Sequence, residues 1–278
     1  MHLSVVIPAY NEENRIGKTL RMIHTYLQQQ PYAAEILVVD DGSQDGTPST
    51  VGAFDVGPPA VRLLHNERNR GKGYSVRRGF LYAKGDYLLF SDADLSTPIA
   101  ELEKLLIALD EPCDIAIGSR ALPGACIEVH QPRYREHLGR LFNAVVRQFA
   151  VPGIFDTQCG FKCFRRQAAL AICERMTTER FGFDVEMLYL ARQLGYRVRE
   201  VPVVWRHSPQ TRVRLRRDSI SMLGDLLRIR LNDYRGRYHR PPQQPTPGPR
   251  RASGASISEG RSVVQATDPV GDHSSDQP

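Results

Sequence analysis

Two carboxylates stand two residues apart in Ser91-Asp92-Ala93-Asp94, directly after a run of strand-forming residues. In extended backbone, side chains at i and i+2 share a face, so both carboxylates can aim at one cation. Hard oxygen donors at this spacing suit Mg2+ or Mn2+, ions that keep several waters and complete their shell with phosphate oxygens. A cation held this way neutralises charge that builds on a departing diphosphate. Surface turns are also rich in aspartate, so the motif needs its context to be specific.

Three further polar stretches supply that context. Pro8-Ala9-Tyr10-Asn11-Glu12 offers an aromatic ring to stack on a base and a carboxylate to accept hydrogen bonds from a ribose or base. Asp40-Asp41-Gly42-Ser43-Gln44-Asp45-Gly46-Thr47 reads both as a turn with capping side chains and as a nucleotide contact. Asn69-Arg70-Gly71-Lys72-Gly73 combines glycines that permit close backbone approach with a lysine able to meet a phosphate. It is not the dinucleotide fingerprint, because Val76 occupies the third glycine's place.

The elements around these loops alternate. Short β-branched runs at 3–7 and 35–39 flank a helical stretch over 13–29. A strand at 61–64, a helix over 73–83, a strand at 86–90 and a helix over 99–109 follow. Such alternation predicts an α/β fold, a mostly parallel Rossmann-like sheet flanked by helices. Ligands of open sheets gather at the carboxyl ends of strands, where 8–12, 40–47 and 91–95 all fall. Past Ile115-Ala116-Ile117 regularity weakens, with Pro123, Gly124, Pro132, Pro152 and Gly153 marking loops of the kind that shape a second substrate's site.

The chain has 278 residues and a net charge of +6, and twelve arginines against four acids between Arg197 and Arg240 exceed that whole excess. An amphipathic helix is expected over 219–234, with Ile220, Leu223, Leu227, Leu231 and Tyr234 as its stripe, widened by Met222, Leu226 and Ile229. Ser221, Asp225, Arg228 and Asn232 form its other face. The helix packs on the domain or lies on a membrane, and flanking Arg212, Arg214, Arg216, Arg217 and Arg230 favour an anionic membrane surface. Five cysteines without paired spacing indicate neither a disulfide framework nor structural zinc, which fits a cytoplasmic setting. No signal peptide or transmembrane segment is expected. Residues 1–235 read as one catalytic domain with halves of about 1–115 and 116–235, and a Pro-, Gly- and Ser-rich tail over 236–278 is expected to be disordered.

Taken in order, Val-Ile-Pro-Ala-Tyr-Asn-Glu (6–12), Val-Val-Asp-Asp-Gly-Ser (38–43), Asn-Arg-Gly-Lys-Gly (69–73) and Asp-Ala-Asp (92–94) resemble family 2 glycosyltransferases of the GT-A fold. Gly118-Ser119-Arg120, Asp156 to Lys162 and Phe183-Asp184-Val185-Glu186 look like the dolichyl-phosphate β-glucosyltransferase branch, and the resemblance spans roughly 3–235. It implies inverting transfer of glucose from UDP-glucose to a polyprenyl phosphate with UDP leaving. By the same resemblance Pro8, Tyr10, Glu12, Asp40, Asp41, Gly71 and Lys72 surround the uridine, while Asp92, Ala93 and Asp94 bridge ribose and metal. Arg120 meets the acceptor phosphate, with Arg135 chosen among Arg133, Arg135 and Arg140 as its companion. Asp156 is a candidate base or an organiser near the sugar, Lys162 adds positive charge, and Asp184 and Glu186 line the sugar side. Ser96 departs from relatives among the mannosyl enzymes, some of which have a metal-contacting glutamine there, and the eukaryotic glucosyl enzymes usually carry an amino-terminal anchor not seen here. Rival readings are a GDP-mannose-dependent enzyme with the same acceptor, transfer to a protein or polysaccharide, and a binding protein without catalysis. A nucleic-acid binder using the arginines is the least consistent with four intact loops.

Overall fold

The first strand, β1 (His2–Ala9), is apolar on both sides: Leu3, Val5, Val6 and Ile7 are all fully buried. A strand of that kind belongs inside a sheet covered on both faces, and the computed structural model places it so. The structure describes residues 2–129, 139, 143–207 and 215–239, with only the backbone of 215–223 and of His239.

Six further strands join β1: β2 (Ala33–Asp40), β3 (Ala60–His65), β4 (Tyr87–Ser91), β5 (Ile115–Ser119), β7 (Phe161–Arg165) and β8 (Val198–Pro202), in the order β3-β2-β1-β4-β7-β5-β8. All neighbouring pairs are parallel except those of β7, which runs antiparallel to both β4 and β5. A small second sheet pairs β6 (Cys126–Val129) with β9 (Val204–Arg206).

Pleat alternation feeds two cores. Leu3, Val5, Ile7, Leu89 and Cys163 pack with Ile16, Leu20, Ile23 and Leu27 of α1 (Glu13–Gln28) and Leu102, Leu105 and Leu109 of α4 (Leu102–Asp110). On the opposite face Val6, Leu88, Phe90 and Phe164 pack with α3 (Lys72–Tyr82), α6 (Arg166–Arg175) and α7 (Phe183–Gln193). Short α2 (Thr47–Gly52) follows β2, and α5 (143–149) precedes β7.

The parallel run β1 to β5 and its helices match the expected elements within two residues at almost every end. Strand β7 was not anticipated. It threads residues 161–165 between β4 and β5, so the two expected halves share one sheet.

The terminal helix α8 (Leu215–Tyr234) starts earlier than expected and is turned about its axis relative to the expected stripe. Leu226 and Ile229 reach the core, but so do Asp225 and Asn232, assigned to the polar face from sequence. Asp225 accepts the backbone N–H of Gly182, which leads into α7, and Asn232 Nδ2 donates to Thr177 Oγ1 at 3.1 Å. Leu227, Leu231 and Tyr234, the expected stripe, are 73 %, 44 % and 90 % exposed. Among the described residues no helix is long and apolar enough to cross a membrane. Residues 240–278 of the expected tail, with Arg212 and Arg214, lie outside the described residues.

Candidate active site

The loops after β1, β2 and β4 meet at the carboxyl edge of the sheet and are laced to one another. Asn11 N–H donates to Ser43 Oγ (2.8 Å), Glu12 N–H to Thr47 Oγ1 (2.7 Å), and Gln44 N–H to Asn11 Oδ1 (2.7 Å). Asn11 and Leu95 hold positive φ, 52° and 46°, a conformation rare for residues other than glycine. Asn11 lies two residues beyond β1 and Leu95 directly after Asp94, and backbone strain of this kind clusters at functional sites.

Asp92 and Asp94 share the loop after β4. The Asp92 backbone N–H donates to Gly160 O (3.1 Å), Asp94 Oδ1 accepts the Ser96 N–H (3.0 Å), and Thr19 Oγ1 donates to Ala93 O (2.6 Å). Gly160, just before β7, has no room for a side chain: a Cβ there would lie 1.9 Å from Asp92 Oδ2. The glycine thus lets the carboxylate lie against the strand.

Lys72 Nζ, at the start of α3, reaches Asp92 Oδ1 at 2.6 Å. Burial works to lower its pKa, but Asp92, Asp184 and Asp94 outweigh that and hold it above the ordinary value, so the ammonium stays charged. Gly71, at a φ of 113°, places the lysine: a Cβ there would meet Glu179 O at 2.4 Å. Deeper in, Lys162 Nζ bonds Asp184 Oδ1 (2.5 Å) and donates to Cys159 O (2.6 Å). Carboxylate and ammonium therefore alternate from Asp92 through Lys72 and Asp184 to Lys162. Burial lifts the Asp184 carboxyl above its ordinary value in spite of both lysines.

On the other side of Asp92 stands Arg120, at the end of β5. Its Nε and Nη2 donate to Asp156 Oδ2 and Oδ1 at 2.7 and 2.8 Å, and its backbone N–H adds a third bond at 2.9 Å. Burial would raise the Asp156 pKa, but Arg120 holds it below the ordinary carboxylate value. A carboxylate so engaged is a weak base, and the geometry makes Asp156 an organiser of Arg120. Trp205 lies beside the guanidinium, 5.3 Å from its carbon to the ring centre, and lines the cleft with Asp92, Leu95, Ser96 and Gly160.

The remaining expected residues divide. Pro8 and Tyr10 are half-buried at the end of β1. Asp40 is fully buried, with Oδ2 accepting from His65 Nδ1 (2.7 Å) and Ser43 N–H (3.3 Å); its Oδ1 has no hydrogen-bond partner among the described residues. Asp41 is spent on the neighbouring loop, Oδ1 accepting from Asn66 Nδ2 and Arg70 N–H and Oδ2 from Gly71 N–H. Glu12 is clasped by the Arg15 guanidinium, with Nη2 to Oε1 at 2.6 Å. Sequence reasoning passed over Arg15, although its pKa is held up against burial by Glu12, Asp94 and Asp92.

Glu186, expected on the sugar side, is held inside the fold. Its fully buried carboxylate accepts from the backbone N–H of Thr177 and Thr178, from Thr177 Oγ1 and from the Tyr238 hydroxyl, tying α7 to the 177–178 turn and the end of the described chain. Its place one turn into α7, two residues beyond Asp184, turns it away from the lysines. Arg135, with Arg133 and Arg140, lies outside the described residues.

The chain matches the family described as glycosyl transferase family 2 over residues 4–172. It is 41 % identical over 218 residues to the dolichyl-phosphate beta-glucosyltransferase of Drosophila melanogaster, covering 74 % of this chain and 67 % of that one. The Saccharomyces cerevisiae protein of the same name is 37 % identical over 256 residues, covering 85 % and 76 %. In fold the chain is similar to glucosyl-3-phosphoglycerate synthase from Mycobacterium tuberculosis, solved with Mn2+, UDP-glucose and phosphoglyceric acid, at a TM-score of 0.62 and 20 % identity over 82 % of this chain and 79 % of that one. Four ordered loops at one sheet edge, the match over the sheet that carries them and relatives at this identity make the chain a glycosyltransferase and a member of glycosyl transferase family 2.

Proposed function

We propose that this enzyme transfers glucose from UDP-glucose to a polyprenyl phosphate of the dolichyl type, with inversion at the anomeric carbon. The observation that carries this reading is Arg120, fixed by a buried carboxylate, a quarter exposed, and stacked by Trp205, which lines one cleft with Asp92. A guanidinium held in this way suits a phosphate. The names of the Drosophila and yeast relatives point to the same acceptor and to glucose.

The donor would lie across the loops of β1, β2 and β4. Tyr10 and Pro8 would flank the uracil, Asp40 Oδ1 would accept its N3–H, and Lys72 would face the diphosphate. Asp92 and Asp94 fit a divalent cation. They are hard oxygen donors on one loop, of the kind that holds Mg2+ or Mn2+ together with phosphate oxygens and water. Mg2+ or Mn2+ bound there would supply electrophilic stabilisation of the leaving UDP.

The acceptor's phosphate oxygen would attack the anomeric carbon from the face opposite UDP, which leaves with the bonding pair. That oxygen is already anionic near neutral pH, so no strong base is needed, consistent with an Asp156 committed to Arg120. Asp184, between Lys72 and Lys162, would fix the lysine that meets the diphosphate.

The enzyme would act at the cytoplasmic face of a membrane as a peripheral protein. Leu227, Leu231 and Tyr234 project from α8 with exposed Arg228, Arg230 and Arg235 around them, a surface suited to anionic headgroups. Residues 1–115 would serve the donor and 116–235 the acceptor. The test is a donor comparison with dolichyl phosphate as acceptor: UDP-glucose should be used well above GDP-mannose, and Asp94→Ala should remove metal-dependent transfer. Preference for GDP-mannose would replace the donor assignment.

A further inference from the structure

Trp205 is the only tryptophan of the chain, and it touches both sides of the cleft. Its ring packs by the Arg120 guanidinium, and it lines the cleft together with Asp92, Leu95 and Ser96. The residues on either side of it are tied down. Val204 N–H donates to Glu101 Oε2 (3.1 Å) and Arg206 N–H to Ser96 O (2.8 Å), and β9 pairs with β6. The strand that carries Trp205 is thereby tied through its backbone to Glu101 and Ser96.

We propose that Trp205 is a positioning residue for acceptor-phosphate binding, holding the Arg120 guanidinium in one plane with Asp156. The proposal rests on the reading that the acceptor is a phosphate bound by Arg120. Of the five guanidinium N–H groups, Asp156 takes one from Nε and one from Nη2, which leaves three on the outer edge. Asp156 fixes one edge but leaves the plane free to rock about it. An aromatic face within about 6 Å of the cation removes that freedom and attracts the charge. The three remaining donors then point at a constant place, where two phosphate oxygens can be met together.

Two measurements on the full-length enzyme test this, with farnesyl phosphate as acceptor probe and UDP-glucose with Mn2+ as donor. Trp205→Leu should raise the acceptor KM about tenfold and leave the UDP-glucose KM and the affinity for UDP within about twofold, and Trp205→Phe, which keeps a ring beneath the cation, should recover most of the loss. Retained UDP affinity shows that a variant is folded. In the wild-type enzyme, farnesyl phosphate should change the single tryptophan's emission saturably, and farnesol should not. Acceptor KM unchanged in Trp205→Leu, or a donor KM raised as much as the acceptor KM, overturns the proposal while the functional reading stands. Should Trp205→Leu not fold, no emission change on adding farnesyl phosphate under turnover conditions overturns it equally. Glucose transfer to neither farnesyl nor dolichyl phosphate by the wild-type enzyme overturns the functional reading and this proposal together.

Discussion

Asp156→Asn separates the two roles open to this carboxylate. The substitution keeps shape but removes the charge, and it replaces one acceptor oxygen by an amide NH2 facing an N–H of Arg120. The three hydrogen bonds with Arg120, at 2.7, 2.8 and 2.9 Å, fall to one or two, and the ion pair is lost. Breaking a buried ion pair from one side costs about 3–5 kcal/mol. Arg120 is partly open to the cleft and regains solvent, so about 2–3 kcal/mol is the expected loss, read partly as stability and partly as acceptor affinity. That amount corresponds to a rise of roughly 30- to 150-fold in acceptor KM if all of it falls on binding. The assay is steady-state transfer from UDP-glucose to a short-chain polyprenyl phosphate across pH, with UDP affinity measured in parallel. If Asp156 organises Arg120, acceptor KM rises, donor KM and UDP affinity hold, and the acid limb of the pH profile survives. A collapse of kcat at unchanged acceptor KM, with the acid limb gone, would mean that Asp156 takes a proton and would refute the reasoning.

Gly160→Ala should abolish Mn2+ binding while leaving the enzyme folded, because the added Cβ falls 1.9 Å from Asp92 Oδ2 and the displaced atom is the end of a side chain; electron paramagnetic resonance of Mn2+ reads the loss. Glu186→Gln should lower stability by about 2–3 kcal/mol, since an amide NH2 would confront at least one of four donors, with activity per folded molecule nearly unchanged in thermal unfolding and rate measurements. Leu227→Ser with Tyr234→Ser should leave the melting temperature within about 2 °C and sharply reduce flotation with anionic liposomes, because both side chains face solvent. Flotation equal to that of the unaltered chain would remove α8 as the membrane contact. Asp156 is held below its ordinary value, so the Arg120 pair stabilises the fold above the carboxylate range and is lost only as pH falls through that depressed value; unfolding followed by fluorescence should show no stability loss from this pair down to pH 5.

The parallel part of the fold was legible because β-branched runs such as 35–39 end in Asp, Asn and Gly, the residues that turn a chain at a strand's edge. What escaped had physical reasons. Strand β7 carries a lysine in its interior, buried against Asp184, and a strand with a paired internal charge gives no clean hydropathy signal. On α8, hydropathy counted Asp225 and Asn232 as outward, whereas each satisfies a buried partner and so turns the helix about its axis. Asp40 and Asp41 looked equivalent in sequence, and only the hydrogen bonds show that Asp41 is consumed by the 66–71 loop. Trp205 sits in a three-residue strand with no periodicity, and Arg15 reads as an ordinary exposed position of an amphipathic helix. Their roles depend on what lies opposite them, which spacing along one chain does not reveal.

The most direct test of the central claim is a product assay with purified enzyme, Mg2+, labelled UDP-glucose and either dolichyl phosphate or dolichol. A labelled, acid-labile glucosyl lipid should form with the phosphate acceptor, none with the alcohol, and product should be lost when the metal is chelated. Label transferred equally to dolichol, or no lipid product with dolichyl phosphate from an enzyme that still binds UDP, would contradict that claim.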